Sequence, residues 1–228
     1  MPSNSAEPIS IVIGDDARVS GLLQSPAQAR ACYVLAHGAG AGMTHPFMTA
    51  VAAGLAERHI ATLRYQFLYM ERGSKRPDPP KLAHAAVRAA VAEAAARMPK
   101  VPLIAGGKSF GGRMTSQAQA IAPLPGVCGL AFLGFPLHPA KQPSSERGKH
   151  LFDVKLPMLF VQGTRDLLAM PDQIEPLCKA LGARATLRLV ESADHSFHVP
   201  ARSGRTDAQA MSEALHTFAA WADGVTAR

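Results

Sequence analysis

A chain of 228 residues with 47% hydrophobic and 18% charged side chains has the composition of one large globular domain, which excludes a disordered chain. No apolar run approaches the ~18–20 residues needed to span a bilayer, and three scattered cysteines, Cys32, Cys128 and Cys178, exclude a disulfide framework or a zinc site. The net charge of +7 is spread along the chain, densest only at Arg72, Lys75, Arg76 and Lys81, without the interleaved aromatics that grip a nucleic-acid strand, so no nucleic-acid partner is expected.

The opening, residues 1–8, has neither a basic start nor an apolar stretch. No signal peptide is expected there, and a cytoplasmic location away from membranes follows. Residues 9–13 and 19–23 read as paired strands joined by Gly14-Asp15-Asp16. The apolar run 31–36 is a strand ending in His37-Gly38-Ala39-Gly40. Pro46 starts a helix to about residue 58, strand 60–65 follows, and residues 66–80 read as a loop rich in proline and charge.

Residues 82–98 form an alanine-rich helix stopped by Pro99. Strand 101–105 runs into Gly106-Gly107-Lys108-Ser109-Phe110-Gly111-Gly112, and a helix continues to about residue 122. Strands are expected at 127–133, 157–162 and 185–190, with helices at 172–181 and 206–221. Alternating apolar strands and helices predict one α/β domain over residues 1–228. Its mostly parallel sheet is covered by helices on both faces and binds ligands at the strands' carboxyl ends.

Residues 107–111 match G-x-S-x-G between a strand and a helix. A serine on so sharp a turn projects its hydroxyl from the sheet, and glycines on either side remove the Cβ atoms that would clash. A hydroxyl becomes a useful nucleophile only when an oriented base takes its proton. On this kind of sheet the partners follow in the order acid, then histidine. Strand 157–162 leads to Asp166 and strand 185–190 to His195, both at carboxyl ends. Asp153 precedes its strand, Asp172 is expected to cap a helix, and Asp194 should point away from the histidine beside it. His198 is the substitute for His195; His59, His84 and His216 read as surface residues.

Attack on a carbonyl makes an oxyanion, for which the N–H groups of Phe110 and Ala39 are the candidates. Two other glycine motifs fail. A phosphate-binding G-x-x-x-x-G-K-[ST] would need glycine where Pro102 stands, and a dinucleotide fingerprint starting at Gly38 would need glycine at Met43.

Several segments together carry a resemblance. They are Leu35-Ala36-His37-Gly38-Ala39-Gly40, Arg64-Tyr65-Gln66-Phe67-Leu68-Tyr69-Met70, the run from Gly106 to Arg113, Gly134-Phe135-Pro136-Leu137-His138-Pro139, the run from Phe160 to Asp166, and Ala193-Asp194-His195-Ser196-Phe197. In these the chain resembles the α/β-hydrolase superfamily and its dienelactone-hydrolase-like branch. Within that branch it looks like the subgroup that includes testis-expressed protein 30 and subunit 3 of the NSL chromatin complex. The resemblance implies an α/β-hydrolase fold with nucleophile Ser109, acid Asp166 and base His195. Phe110 stands where methionine is usual and Leu68 where proline is usual; both departures bear on the pocket and remove no reacting group.

Many hydrolases insert a lid after the strand at 127–133. Residues 134–155 leave room only for an open site, favouring small esters over long lipids. Phe67, Leu68, Tyr69 and Met70 either wall the pocket or pack beneath the loop. With His37, Gly38, Gly40 and Phe135 they make up the candidate pocket. The expected activity is serine hydrolysis of small carboxylic esters through an acyl-enzyme, needing no metal or organic cofactor. The alternatives are a scaffold on the same fold, as in the chromatin relative, or cleavage of thioester, lactone or peptide bonds.

Overall fold

The computed structural model describes residues 5–227, so half of the opening segment read for a targeting signal lies outside the described residues. The strands are β1 (Glu7–Ile13), β2 (Ala17–Gln24), β3 (Ala31–Ala36), β4 (Ile60–Tyr65), β5 (Leu103–Lys108), β6 (Val127–Leu133), β7 (Met158–Gly163) and β8 (Ala185–Val190). The helices are α1 (Pro46–Ala56), α2 (Leu68–Glu71), α3 (Pro80–Arg97), α4 (Phe110–Ile121), α5 (Pro171–Leu181) and α6 (Asp207–Thr226), with a longer 3-10 segment at Glu146–Asp153. One sheet runs β1-β2-β4-β3-β5-β6-β7-β8. In it β2 is antiparallel to both neighbours and every pairing from β4 to β8 is parallel. The expected α/β class is observed.

Strands β3, β4, β5 and β7 are buried at every position, which is why they read as largely apolar runs rather than alternating ones. Alternate side chains feed two cores. On β3, Tyr33 and Leu35 pack on the side of α1 and α6, whereas Cys32 and Val34 pack on the side of α3 and α4. At the sheet's edge β1 alternates instead, burying Ile9, Ile11 and Ile13.

Helix ends follow local chemistry. Pro46 opens α1 as expected, and Pro80 opens α3 two residues before the predicted start, because a proline's missing N–H costs nothing in a first turn. Thr206 and Gln209 form a reciprocal capping box at α6. That helix outruns its expected end at 221 because Ala222 and Val225 remain buried against the sheet.

Three other expectations change. The segment 66–80 contains the single turn α2, and the connection from β6 to β7 contains the 3-10 segment, but neither makes a lid. Strand β5 extends through Gly106 and Gly107, past the end expected at residue 105. These glycines lie inside the sheet because neighbouring backbones press on them: a Cβ on Gly107 would stand 2.2 Å from the Ala36 carbonyl oxygen.

From β3 the chain steps to β4 on one side, then crosses to β5 on the other. The carboxyl ends of β3 and β5 therefore flank the point where strand order reverses, where a crevice opens. Across it α4 starts so close to β3 that a Cβ on Gly111 would sit 2.6 Å from the carbonyl oxygens of Ala36 and His37. Backbone cannot yield as a side-chain tip can. Gly111→Ala is expected to lower the unfolding free energy by about 2 kcal/mol or more. Exposed Gly224 in α6 has no atom within 4 Å of its added Cβ, so Gly224→Ala should instead stabilise by about 0.5–1 kcal/mol. Denaturant midpoints of the two variants, moving in opposite directions, check the account.

Candidate active site

Ser109 stands between β5 and α4 with φ 51° and ψ −114°, a left-handed conformation that non-glycine residues rarely adopt. Strain of this kind costs on the order of 1–3 kcal/mol, and here the strand–helix crowding enforces it. The consequence is positional: the hydroxyl leaves the sheet at the crevice. There Ser109 Oγ lies 2.8 Å from His195 Nε2, and His195 Nδ1 lies 2.6 Å from Asp166 Oδ2. A carboxylate can only accept, so Nδ1 carries the proton and Nε2 presents a lone pair to the serine O–H.

Asp166 follows β7 and is fully buried. Its charge is met by three donors: the ring of His195, Gln162 Nε2 at 2.6 Å on Oδ2, and the Leu168 N–H at 2.9 Å on Oδ1. His195 sits in the tight turn after β8. The Asp194 carboxylate closes that turn by accepting from the N–H groups of Ser196 and His198, and so faces away from the imidazole. His198, the substitute considered for His195, pairs with Asp207 at 2.9 Å on the surface. Asp153 ends the 3-10 segment, and Asp172 lies in the first turn of α5, whose cap is Met170 rather than the aspartate.

A cavity of about 340 Å³ opens on Ser109 and is also lined by Ala39 and Phe110, the two residues expected to offer N–H groups. Phe110 is the first residue of α4, so its N–H has no acceptor within the helix.

A family of alpha/beta hydrolase domains matches residues 29–223. The chain belongs to that family. Its structure is similar to a dienelactone hydrolase from Anabaena variabilis, with TM-score 0.76 and 22% identity over 95% of each chain. It is also similar to an alpha-beta serine hydrolase homologue from Coxiella burnetii (TM-score 0.74, 19% identity, 92% of this chain and 95% of that one). A third is a serine hydrolase without lid from Xanthomonas campestris (TM-score 0.71, 19% identity, 95% and 96%).

In this alpha/beta hydrolase domain the other expected pocket residues lie elsewhere than the cavity wall. His37 is fully buried; its Nδ1 lies 2.7 Å from the Gly38 carbonyl and its Nε2 accepts from the Phe67 N–H. Burial pulls its pKa down to about 4, which keeps it neutral and able to accept that bond. Tyr69 Oη accepts from the Gly40 N–H, and Met70 lies against Gly42. Phe67 is buried beside His37 and Phe110, while Phe135 is buried between Phe132 and Phe160. Gly38 lies beside Lys108 and Ser109, where a Cβ would come 3.8 Å from the serine Cβ. Residues 66–70 thus clamp the loop 37–43 from below, which is the packing alternative of the two read from the sequence.

Sequence reasoning passed over Gln162 and Lys108. Gln162 is buried on β7 and joins two loops, donating to Asp166 while its Oε1 accepts from the Phe135 N–H at 2.9 Å. A glutamine inside an apolar strand was the available signal. Lys108, the variable residue before the serine, is buried and donates from Nζ to the His195 carbonyl, beside the rings of Phe47 and Phe197. Burial pulls its pKa from 10.5 down to about 8, against the pull of Asp166 and Asp194.

That depression corresponds to on the order of 3 kcal/mol. The penalty is complete below pH about 8 and fades as pH rises toward 10.5, where the unfolded lysine also loses its proton. The wild-type chain should therefore gain stability relative to Lys108→Met across that interval. Paired thermal melts at about pH 7.5 and 10 check the sign; an unchanging difference would contradict it.

Proposed function

We propose that this chain is a serine hydrolase that cleaves small carboxylic esters through an acyl-enzyme. One observation carries the reading: the continuous chain from Ser109 Oγ to His195 Nε2 at 2.8 Å and from His195 Nδ1 to Asp166 Oδ2 at 2.6 Å, at the rim of a cavity. In the proposed reaction the serine oxygen attacks the carbonyl carbon while its proton passes to Nε2. Asp166 holds the ring in the donating tautomer and steadies the imidazolium that forms. The carbonyl oxygen becomes an oxyanion facing the N–H groups of Phe110 and Ala39. The tetrahedral intermediate expels the alcohol, which takes the proton from Nε2. Water, deprotonated by the same nitrogen, then releases the acid and restores the serine.

Every group in this scheme is a protein side chain or N–H, so no metal or organic cofactor enters. The short β6–β7 connection supports an open site for small acyl and alcohol groups rather than one shielded for long lipids. No helix among the described residues is long and apolar enough to cross a membrane, in keeping with a small-molecule substrate met in water.

Ser109→Ala is expected to lower kcat by roughly 10⁴–10⁶-fold and to abolish labelling by a fluorophosphonate, with the melting profile retained. Asp166→Asn should cost about 10⁴-fold by favouring the wrong tautomer. Hydrolysis of 4-nitrophenyl acetate and butyrate provides the assay, and wild-type turnover surviving in Ser109→Ala would overturn the scheme.

A further inference from the structure

The cavity beside Ser109 carries a charge that the proposed chemistry leaves unused. Arg113 lies one helical turn after the serine, its N–H bonded to the Ser109 carbonyl, and so occupies the same side of α4. Arg147 reaches the same cavity from the 3-10 segment between β6 and β7. Neither guanidinium makes a hydrogen bond or ion pair with a protein group among the described residues. Arg113 Nε is buried without a partner, and the guanidinium stands over the ring of Phe110, 5.9 Å from its centroid. Burial, then the charge of Arg147, holds the Arg113 pKa below its ordinary value, and burial lowers that of Arg147.

Asp78 is the acidic residue on this wall. Its Oδ2 accepts from the Tyr69 N–H, and it pairs with neither arginine. Two half-buried guanidinium groups facing one carboxylate leave a net positive wall. Proteins tolerate such an arrangement where a ligand supplies the missing anion, which the planar fork of arginine meets with paired hydrogen bonds.

The geometry also says which half of an ester would carry that anion. His195 lines a second cavity, of about 420 Å³, with Leu167, Leu168 and Met170 together with Arg165 and Asp194. The leaving alcohol must lie on the side of the imidazole that protonates it, hence toward this second cavity. The acyl group is left on the side of Phe110, Arg113 and Arg147. From this arrangement we infer that the substrate is an ester whose acyl chain ends in an anionic group, a carboxylate or phosphate, held by Arg113 and Arg147. The inference rests on the hydrolase reading above and extends it to the substrate class.

The test compares 4-nitrophenyl hydrogen glutarate with its methyl-capped counterpart, in which a neutral methyl ester replaces the terminal carboxylate. The wild-type chain should favour the anionic ester at least 10-fold in kcat/KM, a preference that shrinks with added salt because the groups are half-exposed. Arg147→Gln, outside the sheet, should bring the ratio most of the way to one, and Arg113→Gln with Arg147→Gln the rest. Free glutarate should slow fluorophosphonate labelling of the wild-type Ser109 and lose that effect in Arg147→Gln; propylphosphonate, which carries no carboxylate, reports in its place the phosphate form of the anion. Equal rates on the two esters, or a preference that survives both substitutions, would overturn the anion site while leaving the hydrolase reading intact. Absence of both turnover and labelling in folded protein would instead overturn the hydrolase reading on which the inference stands.

Discussion

A carboxylate with no exposure to water is costly unless its lone pairs are met, by several kcal/mol even after relaxation. Asp166 is such a group, and the elements at the sheet's carboxyl edge are arranged around satisfying it. Gln162 reaches it from within β7, the Leu168 N–H from its own loop, and the His195 ring from the turn after β8. Because Gln162 also holds the Phe135 N–H, the loop after β6 joins the same set. A requirement of electrostatics thus fixes the mutual placement of three loops, and the imidazole takes its orientation from it.

The opposite side of the crevice is held by crowding rather than by charge. Ala36 at the end of β3 lies too close to β5 and α4 for any side chain on Gly107 or Gly111. That contact forces Ser109 into its left-handed conformation and directs its hydroxyl outward. Lys108 connects the two systems: it leaves the crowded strand and donates to the carbonyl of His195. Hydroxyl and imidazole meet at 2.8 Å because a steric constraint and an electrostatic one converge on the same crevice.

Much of this was readable in advance for identifiable reasons. Largely apolar runs mark strands covered on both faces, and Pro46 marks a helix start through a local rule. The serine motif and the order of its partners are also local. Where the reading failed, long-range packing outweighed local propensity. Gly106 and Gly107 lie past the strand end expected at residue 105, yet the strand runs through them to Lys108, because only glycine fits between β3 and β6. Phe67, Tyr69 and Phe135 were reasonable candidates for a pocket, and whether an apolar side chain after a strand faces a cavity or a core is not written in its identity.

By itself the sequence determined the α/β architecture, the strand–helix junction at Ser109, and the two carboxyl-end loops bearing Asp166 and His195. Each of these follows from periodicity and turn chemistry within a few residues. Tertiary structure decided that Asp166 and His195 lie within hydrogen-bonding distance, that His37 and residues 66–70 brace the 37–43 loop from beneath, and that Arg113 and Arg147 stand unpaired beside the serine. The reason is physical. Burial, ion pairing and cavity walls are made by residues tens of positions apart, whose distances exist only once the sheet has closed its order.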